Sequence, residues 1–357
     1  MPTSNTSPNT SPSTVRPTRR EFLKTSGLAL GALAAPRILT RSNKSGLDPI
    51  ICGTGNHTYE VQHDWGQLPK TISYGNCHGV CEDAQGRIYI KHTVNASSES
   101  KDAVVIFDAD GKFVKSWGAE YGLAGGAHGL HINKEGGQEF LYLCDCNKGI
   151  VYKTDLDGKL VFKLECPMDS GLYNNQAEYH ATNLATAPNG DLYIGDGYGK
   201  SWIHHYNAKG EYLNSFGGPG NQRGQLSCPH GIWMDTRDGT PKLAVADRAN
   251  HRIQYFSLDG RHLCFVTNEM KLPCHFHQRG SDLLVPDLDA RVTILDKDNK
   301  PITVLCDGGS QALRAEPREK FIPGKFITPH SAIWDHAGNI FVVEWVEVGR
   351  VTKLKRV

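Results

Sequence analysis

The 357-residue chain lacks the features that mark several large classes of protein. It has no apolar run long enough to form a stable membrane-spanning helix, so no stable membrane span is expected. Its formal net charge is only +1, without the basic excess of most nucleic-acid-binding domains, so no nucleic-acid partner is expected. The chain also lacks the 3.6-residue apolar periodicity of amphipathic helices, so nothing supports helical or α/β repeats. The missing helical periodicity favours an all-β protein.

The N-terminal segment differs in composition from the rest of the chain. Residues 1–17 are rich in Ser, Thr, Asn and Pro, a composition that buries too little apolar surface to order. The sequence TRREFLK follows at 18–24, then a short apolar run at 27–35. This arrangement resembles a twin-arginine export signal, the alternative being a basic tail with a chance apolar run. We therefore expect a signal at 1–35, a linker at 36–56 and a periplasmic or otherwise exported protein.

The remainder of the chain, residues 57–357, repeats one pattern. Each copy has a His or similar residue, an apolar strand, a turn, a second strand and an acidic residue, followed by two further strands. The six copies begin near Cys77, Ala127, Ala181, Pro229, His275 and Pro329. Repeats of roughly 50 residues with four short strands each are typical of propeller blades. The sequence therefore predicts a six-bladed β-propeller with four-stranded antiparallel blades.

Closure of the propeller is also predictable. The sixth copy ends after its third strand, near Leu354, and has no fourth strand of its own. An apolar and polar alternation at residues 58–63 fits the missing strand. If the N-terminal strand completes the last blade, no free sheet edge remains.

Several histidines begin the innermost strand of their blades. The second strand runs back antiparallel, so its acidic end returns to the same face. We call the residue that begins the innermost strand the ring position. The interval from the ring position to the acidic end of the second strand is 14 or 17 residues, and this interval puts Thr182 at the ring position in the third blade. The fifth blade carries His275 and His277 in weaker register, and His180 lies two residues before Thr182. The predicted ring at one channel mouth therefore contains His78, His128, His230 and His330, with Asp145, Asp196, Asp247 and Glu344 outside it.

Three of these histidines come from alternate blades. His128, His230 and His330 belong to blades two, four and six and should surround the channel axis. Three converging imidazoles with a fourth position open are typical of catalytic zinc. Zinc is the expected metal, with another divalent transition metal as the alternative and His78 as an auxiliary ligand. The competing interpretation is that these histidines only hydrogen-bond strand ends or channel waters.

The repeats resemble the NHL family, most clearly at residues 246–256 (ADRANHRIQYF). Within that family the chain is similar to the propeller of peptidyl-α-hydroxyglycine α-amidating lyases. This resemblance implies one zinc on His128, His230 and His330, with Tyr198 and Arg248 as catalytic residues. Tyr198, with its pKa lowered by the metal and Arg248, would accept a hydroxyl proton, and Arg248 would pair with a substrate carboxylate. The implied reaction splits the C–N bond of a peptide-like hydroxyglycine substrate.

The chain also departs from the lyase pattern. No arginine stands near Lys91, where the lyase has a second one, and Thr328 replaces a methionine. Ser331 replaces an acidic calcium ligand, and His78 has no counterpart. The lyase disulfide cysteines fall at positions such as Gly199, Ala244 and Tyr255. The metal ligands are therefore retained better than the substrate-binding residues.

Two other functions compete with a metal-dependent lyase. The first is a non-catalytic NHL scaffold that binds a protein or cell-envelope polymer on its propeller face. The second is a sugar-lactonase-like hydrolase with the same number of blades. The second would use carboxylate and Asn ligands for a hard cation, whereas this axial ring is rich in imidazole.

Overall fold

The computed structural model describes residues 48–122 and 125–357. The predicted signal at 1–35 and the first part of the predicted linker lie outside the described residues. Within the described part, no helix is long and apolar enough to cross a bilayer. Its helices are short 3-10 segments at Ala119–Tyr121, Met168–Ser170, Gln176–Glu178, Arg248–Asn250, Gln311–Leu313 and Arg318–Lys320.

The strands form six antiparallel sheets, as the repeat predicts. Blade one contains β3 (Tyr74–Glu82), β4 (Ile88–Val94), β5 (Val104–Phe107) and β6 (Phe113–Trp117), and blade two contains β7 (Ala127–Glu135), β8 (Gln138–Asp145), β9 (Ile150–Thr154) and β10 (Leu160–Leu164). Blade three contains β11 (Asn183–Thr186), β12 (Leu192–Gly195), β13 (Trp202–Tyr206) and β14 (Tyr212–Gly217), and blade four contains β15 (Pro229–Asp235), β16 (Lys242–Asp247), β17 (Arg252–Phe256) and β18 (His262–Val266). Blade five contains β19 (His277–Arg279), β20 (Asp282–Asp287), β21 (Arg291–Leu295) and β22 (Pro301–Leu305).

Blade six joins the two ends of the described chain. Its inner strands are β23 (Pro329–Trp334), β24 (Ile340–Glu344) and β25 (Arg350–Arg356), and β2 (His57–Gln62) pairs with β25. The N-terminal strand therefore closes the last blade, as predicted. A fifth strand, β1 (Ile51–Thr54), pairs with β2. This strand was not predicted, and it lies inside the segment that we described as a linker.

The hydrophobic core is divided among the interfaces between blades. Six clusters of buried residues correspond to the six interfaces. At the interface of blades one and two, for example, Tyr89 and Val104 pack with Leu130 and Leu143. Because each sheet buries both faces against its neighbours, its strands carry nearly continuous apolar runs. Removal of any one interface would expose the core of two blades.

Tyr59 on the closing strand tests how much the N-terminal strand stabilises the ring. The side chain is 1% exposed within the cluster between blades five and six, and its hydroxyl accepts a hydrogen bond from Trp334 Nε1 at 3.2 Å. We expect Tyr59→Ala to lower the free energy of unfolding by about 3–5 kcal/mol and Tyr59→Phe by about 1 kcal/mol. Denaturant titration measures both, with Val114→Ala on an exposed side chain as control. Equal losses for the two Tyr59 variants would contradict the packing argument.

His63, just beyond the closing strand, predicts a pH dependence of stability. The Gly324 N–H donates to its Nε2 at 3.0 Å, and burial lowers the pKa of His63 from 6.5 to about 3. As the pH falls below 6.5, His63 binds a proton in the unfolded chain but stays neutral in the folded chain until about pH 3. The contribution of neutral His63 to the stability of the folded state is therefore complete above pH 6.5 and is lost as the pH falls towards 3. We expect a loss of up to about 2 kcal/mol at pH 5.

His63→Gln should reduce this acid sensitivity by about one proton. The measurement is the free energy of unfolding as a function of pH between 7 and 4.5. Gln62→Ala, next to it on the same segment, is the control and should keep the wild-type slope. An unchanged slope in His63→Gln would show that His63 is not the group that titrates.

Candidate metal and substrate site

The strand ends explain how the ring histidines reach the axis. In blades two, four and six the residue before each histidine pairs with the acidic end of the second strand, and the ladder is irregular just beyond this pair. These bulged positions are His128, His230 and His330. A bulge releases a residue from the regular alternation and re-aims its side chain. All three side chains are consequently directed into the channel at one level.

The three histidines lie close together at that level. Their ring centres are 4.8 Å apart for His128 and His230, 4.8 Å for His128 and His330, and 4.6 Å for His230 and His330. Each side chain is at most 3% exposed. Burial lowers the pKa of His128 to about 3 and holds the pKa of His230 and of His330 well below the usual range. The three imidazoles are therefore neutral near pH 7.

Hydrogen bonds between blades fix the tautomer of each imidazole. Nδ1 of His128 lies 2.7 Å from the carbonyl oxygen of Thr182 in blade three. Nδ1 of His230 lies 2.8 Å from the carbonyl oxygen of Cys274 in blade five, and His330 makes the same contact at 2.8 Å with His78 in blade one. Because a carbonyl only accepts, Nδ1 carries the proton and Nε2 presents a lone pair. This is the arrangement of metal-binding histidines, whose second ring nitrogen donates to a carbonyl or carboxylate.

The hydrogen-bond donors around the three Nε2 lone pairs are fewer than the lone pairs. The Tyr198 hydroxyl lies 3.0 Å from Nε2 of His128 and 3.0 Å from Nε2 of His230, but it has one proton to give. Nδ1 of His78 lies 3.3 Å from Nε2 of His330 and supplies the second proton. Three lone pairs thus share two donors, and one buried acceptor is left over. This donor set fits a cation at the channel mouth.

Cys274 is a further candidate ligand that the sequence analysis missed. Two overlapping groups of buried side chains have ligand atoms within 4.8 Å of one another: His78, His128 and His330 in one, and His230, Cys274 and His330 in the other. Pro273 bridges to Asp287, so Cys274 occupies the ring position of blade five. His275, which the sequence analysis placed in weaker register together with His277, is one position further along. A proline that pairs with the acidic end of the second strand, as Pro229 pairs with Asp247, is the sequence signal that could have identified this register.

Tyr198 and Arg248 lie together above the ring. The Tyr198 side chain is 42% exposed, while its hydroxyl reaches down to the imidazoles. The Arg248 guanidinium carbon is 5.3 Å from the Tyr198 ring centre, and its nitrogens contact the sulfur atoms of Cys228 at 3.1 Å and Cys274 at 3.8 Å. Burial raises the pKa of Tyr198, and Arg248 opposes this rise. Arg248 thus acts in the expected direction, but among the protein groups alone the burial of the hydroxyl outweighs the guanidinium, so the expected lowering depends on a bound metal.

The outer acidic ring has a structural role. Its members Asp145, Asp196, Asp247 and Glu344 are buried. Asp196, Asp247 and Glu344 accept hydrogen bonds from backbone N–H groups just before an inner strand, whereas Asp145 accepts from the turn that follows β8. Asp247 accepts a hydrogen bond from the Ser227 backbone N–H at 2.7 Å and pairs with Arg252 at 2.6 Å. Glu344 accepts from the Ile327 backbone N–H at 2.7 Å. Asp196, Asp247 and Glu344 therefore position the loops that lead into the inner strands, and none of the four carboxylates belongs to the groups of side chains that could hold a metal.

Two other cations lie near the first blade. Lys91 is fully buried, and its ammonium group donates to the Cys144 carbonyl oxygen at 2.7 Å. Burial lowers the pKa of Lys91 to about 8. Arg314, from the loop between blades five and six, donates to the Asn76 side chain at 3.0 Å and lies 3.6 Å from the Trp345 ring centre. Sequence patterns missed Arg314, because this loop belongs to no repeat.

The remaining histidines of the predicted ring region lie elsewhere. His275 and His277 line a cavity of about 350 Å³ at the opposite channel mouth, together with His131, Trp233 and other side chains. His180 bonds to the Cys146 carbonyl oxygen through Nδ1 at 2.7 Å. The channel therefore has two differently lined ends.

Sequence comparison finds distant relatives. A probable peptidyl-α-hydroxyglycine α-amidating lyase of Caenorhabditis elegans is 28% identical over 222 residues, which cover 59% of this chain and 60% of the worm protein. NHL repeat-containing protein 3 of Homo sapiens is 24% identical over 256 residues, 65% of this chain and 67% of that protein. A stretch of 140 residues is 31% identical to rat peptidylglycine α-amidating monooxygenase, covering 37% of this chain and 14% of the enzyme. The chain thus spans about three fifths of the worm lyase.

Comparison with solved structures supports the fold. A streptogramin B lyase superposes with a TM-score of 0.56 at 11% identity, covering 83% of this chain and 97% of that one. Virginiamycin B lyase from Staphylococcus aureus gives 0.55 at 14% identity, covering 84% and 100%. No protein-family model matches the chain. The chain is a six-bladed propeller with distant homology to α-amidating lyases and NHL-repeat proteins.

Proposed function

We propose that this protein is a metal-dependent lyase that cleaves the C–N bond of an α-hydroxyglycine-like substrate. The observation that carries the proposal is the set of three buried imidazoles locked by Nδ1 hydrogen bonds, with Nε2 lone pairs that outnumber the local donors. Distant homology to α-amidating lyases supports this substrate class. The twin-arginine signal and an exported location belong to the same proposal.

The residues that would hold the metal are His128, His230 and His330. Zinc is the proposed ion, since neutral imidazoles suit it and the three ligands leave a position open. Bound there, zinc would act as a Lewis acid towards a substrate oxygen and would lower the pKa of nearby acids. His78 has to release Nε2 of His330 before that nitrogen can bind a metal.

Tyr198 is the proposed proton acceptor. Its hydroxyl sits at the imidazole cluster, and its partly exposed ring places it between the channel and solvent. As a phenolate, Tyr198 would take the proton of the substrate hydroxyl. The carbon–oxygen bond then becomes a carbonyl, the C–N bond electrons leave with nitrogen, and nitrogen gains a proton. The products are an amide and a glyoxylate-like acid.

Arg248 is the proposed anchor for a substrate carboxylate. Its guanidinium contacts two thiols and the Tyr198 hydroxyl, and among the described residues no carboxylate forms an ion pair with it. Its guanidinium charge at the mouth of the site can therefore pair with an anionic group in bidentate fashion. Such a pairing would hold a substrate carboxylate beside Tyr198.

Metal content is the first test. We expect purified wild-type protein to contain close to one zinc per chain, because three ligands converge there. A His128→Ala, His230→Ala, His330→Ala triple variant should contain none. His131→Ala, at the opposite channel mouth, is the matched control and should keep the metal. Metal analysis and circular dichroism together separate loss of the ion from loss of the fold.

Two results would change the ligand set or the function. In the cobalt-loaded protein, an intense near-ultraviolet thiolate-to-cobalt band that Cys274→Ser removes would put Cys274 among the ligands. A folded wild type that takes up no stoichiometric metal would refute the lyase proposal. It would leave the non-catalytic NHL scaffold, which the similarity to NHL repeat-containing protein 3 favours.

Tyr198→Phe tests the chemistry separately from metal binding. With a peptide that ends in α-hydroxyglycine, we expect kcat to fall by about 10²-fold or more, because the variant has no proton acceptor at this position. Its zinc content should stay at the wild-type level. Glyoxylate release measures the reaction. Wild-type turnover in Tyr198→Phe would remove Tyr198 from the mechanism, and zinc-loaded wild type that releases no glyoxylate would point to a different substrate.

A further inference from the structure

Two cysteines meet at the junction of blades five and six. Sγ of Cys306 lies 3.1 Å from Sγ of Cys52. Cys52 belongs to β1, the additional outer strand of blade six, and Cys306 directly follows β22, the outer strand of blade five. The two sulfur atoms are therefore in direct contact across a blade interface, although the cysteines are 254 positions apart.

The surroundings hold both sulfur atoms in place. Cys306 is 5% exposed, and Cys52 packs against the apolar cluster between blades five and six. Gly53, next to Cys52, packs so closely on β2 that a Cβ there would lie 1.9 Å from the His57 carbonyl oxygen. Cys306 has a φ of 53°, in the left-handed region, which turns the chain out of β22 immediately after Leu305. The backbone on each side is thus fixed, and neither thiol is on a free loop.

The two thiols differ in acidity. The hydrogen bond from Cys306 lowers the pKa of Cys52, and the Lys325 ammonium adds to this effect. The same contact, together with burial, raises the pKa of Cys306 well above its usual value. Cys52 is also the more accessible of the two. It is therefore the better nucleophile towards an external disulfide.

We propose that Cys52 and Cys306 form a disulfide that ties the N-terminal strand to blade five. The cross-link closes a covalent loop that contains β2 and blades one to five. Strand pairing between β2 and β25 lies within the sheet of blade six. The disulfide, in contrast, connects blade six to blade five. The ring is thereby closed both by hydrogen bonds and by a covalent bond.

The chemistry requires a disulfide of low molecular mass or a thiol oxidoreductase as the oxidant. The Cys52 thiolate attacks one sulfur of the donor disulfide, and one donor thiolate leaves. Cys306 loses its proton to solvent and attacks Cys52 Sγ in the mixed disulfide, which releases the second donor thiolate. Two protein thiols are thus oxidised by two electrons, and one donor disulfide is reduced to two thiols.

Peptide mapping of the full chain tests the cross-link. The protein is equilibrated with oxidised glutathione, its free thiols are alkylated in denaturant without reduction, and its peptides are analysed by mass spectrometry. We expect one cross-linked pair that contains Cys52 and Cys306, while Cys264, exposed on β18, is alkylated or carries glutathione. Recovery of both Cys52 and Cys306 as unlinked peptides from folded protein would overturn the proposal.

Thermal unfolding supplies a second readout. A disulfide that closes so long a loop should raise Tm, so we expect dithiothreitol to lower Tm of the oxidised wild type by at least about 5 °C. The Cys52→Ala, Cys306→Ala double variant should not respond, and Cys264→Ser should respond like wild type. Equal responses in the wild type and the double variant would contradict the cross-link. Neither outcome depends on the metal or on lyase activity.

Discussion

The candidate site depends on one contact that is repeated three times, the Nδ1–H hydrogen bond from a ring histidine to the backbone of the next blade. This bond selects the tautomer and aims Nε2 at the axis. For His330 the acceptor is the carbonyl oxygen of His78, across the junction between blades six and one. The geometry of the site therefore requires a closed ring. The orientation of His330 therefore depends on the closure of blade six by β2.

Most of the fold could be predicted from the sequence, because a propeller repeats one local pattern. Turn residues and apolar strands recur at a regular spacing, and the truncated last copy indicates where the N-terminal strand must pair. The additional strand β1 was not predictable in this way. Its sequence, Ile51–Thr54, belongs to no repeat, and only its pairing with β2 makes it a strand.

The candidate site was less predictable, and the reasons are specific. The positions of His128, His230 and His330 follow from register, so the sequence could bring them to one level. In blade five, His275 drew attention because of its residue type, yet the bridge between Pro273 and Asp287 gives the ring position to Cys274. The acidity of Tyr198 could not be read from its neighbours in sequence. It depends on how deeply the hydroxyl is buried, and burial outweighs the charge of Arg248.

The imidazole cluster also blocks the central channel of the propeller. Ring centres 4.5–4.8 Å apart leave no passage for solutes between His78, His128, His230 and His330. The cavity walled by Trp233 and His277 lies on one side of this cluster, and Tyr198 with its partly exposed ring lies on the other. A molecule that enters this cavity has to leave by the mouth through which it entered. The two faces of the disc can therefore carry different ligands at the same time without competing for space.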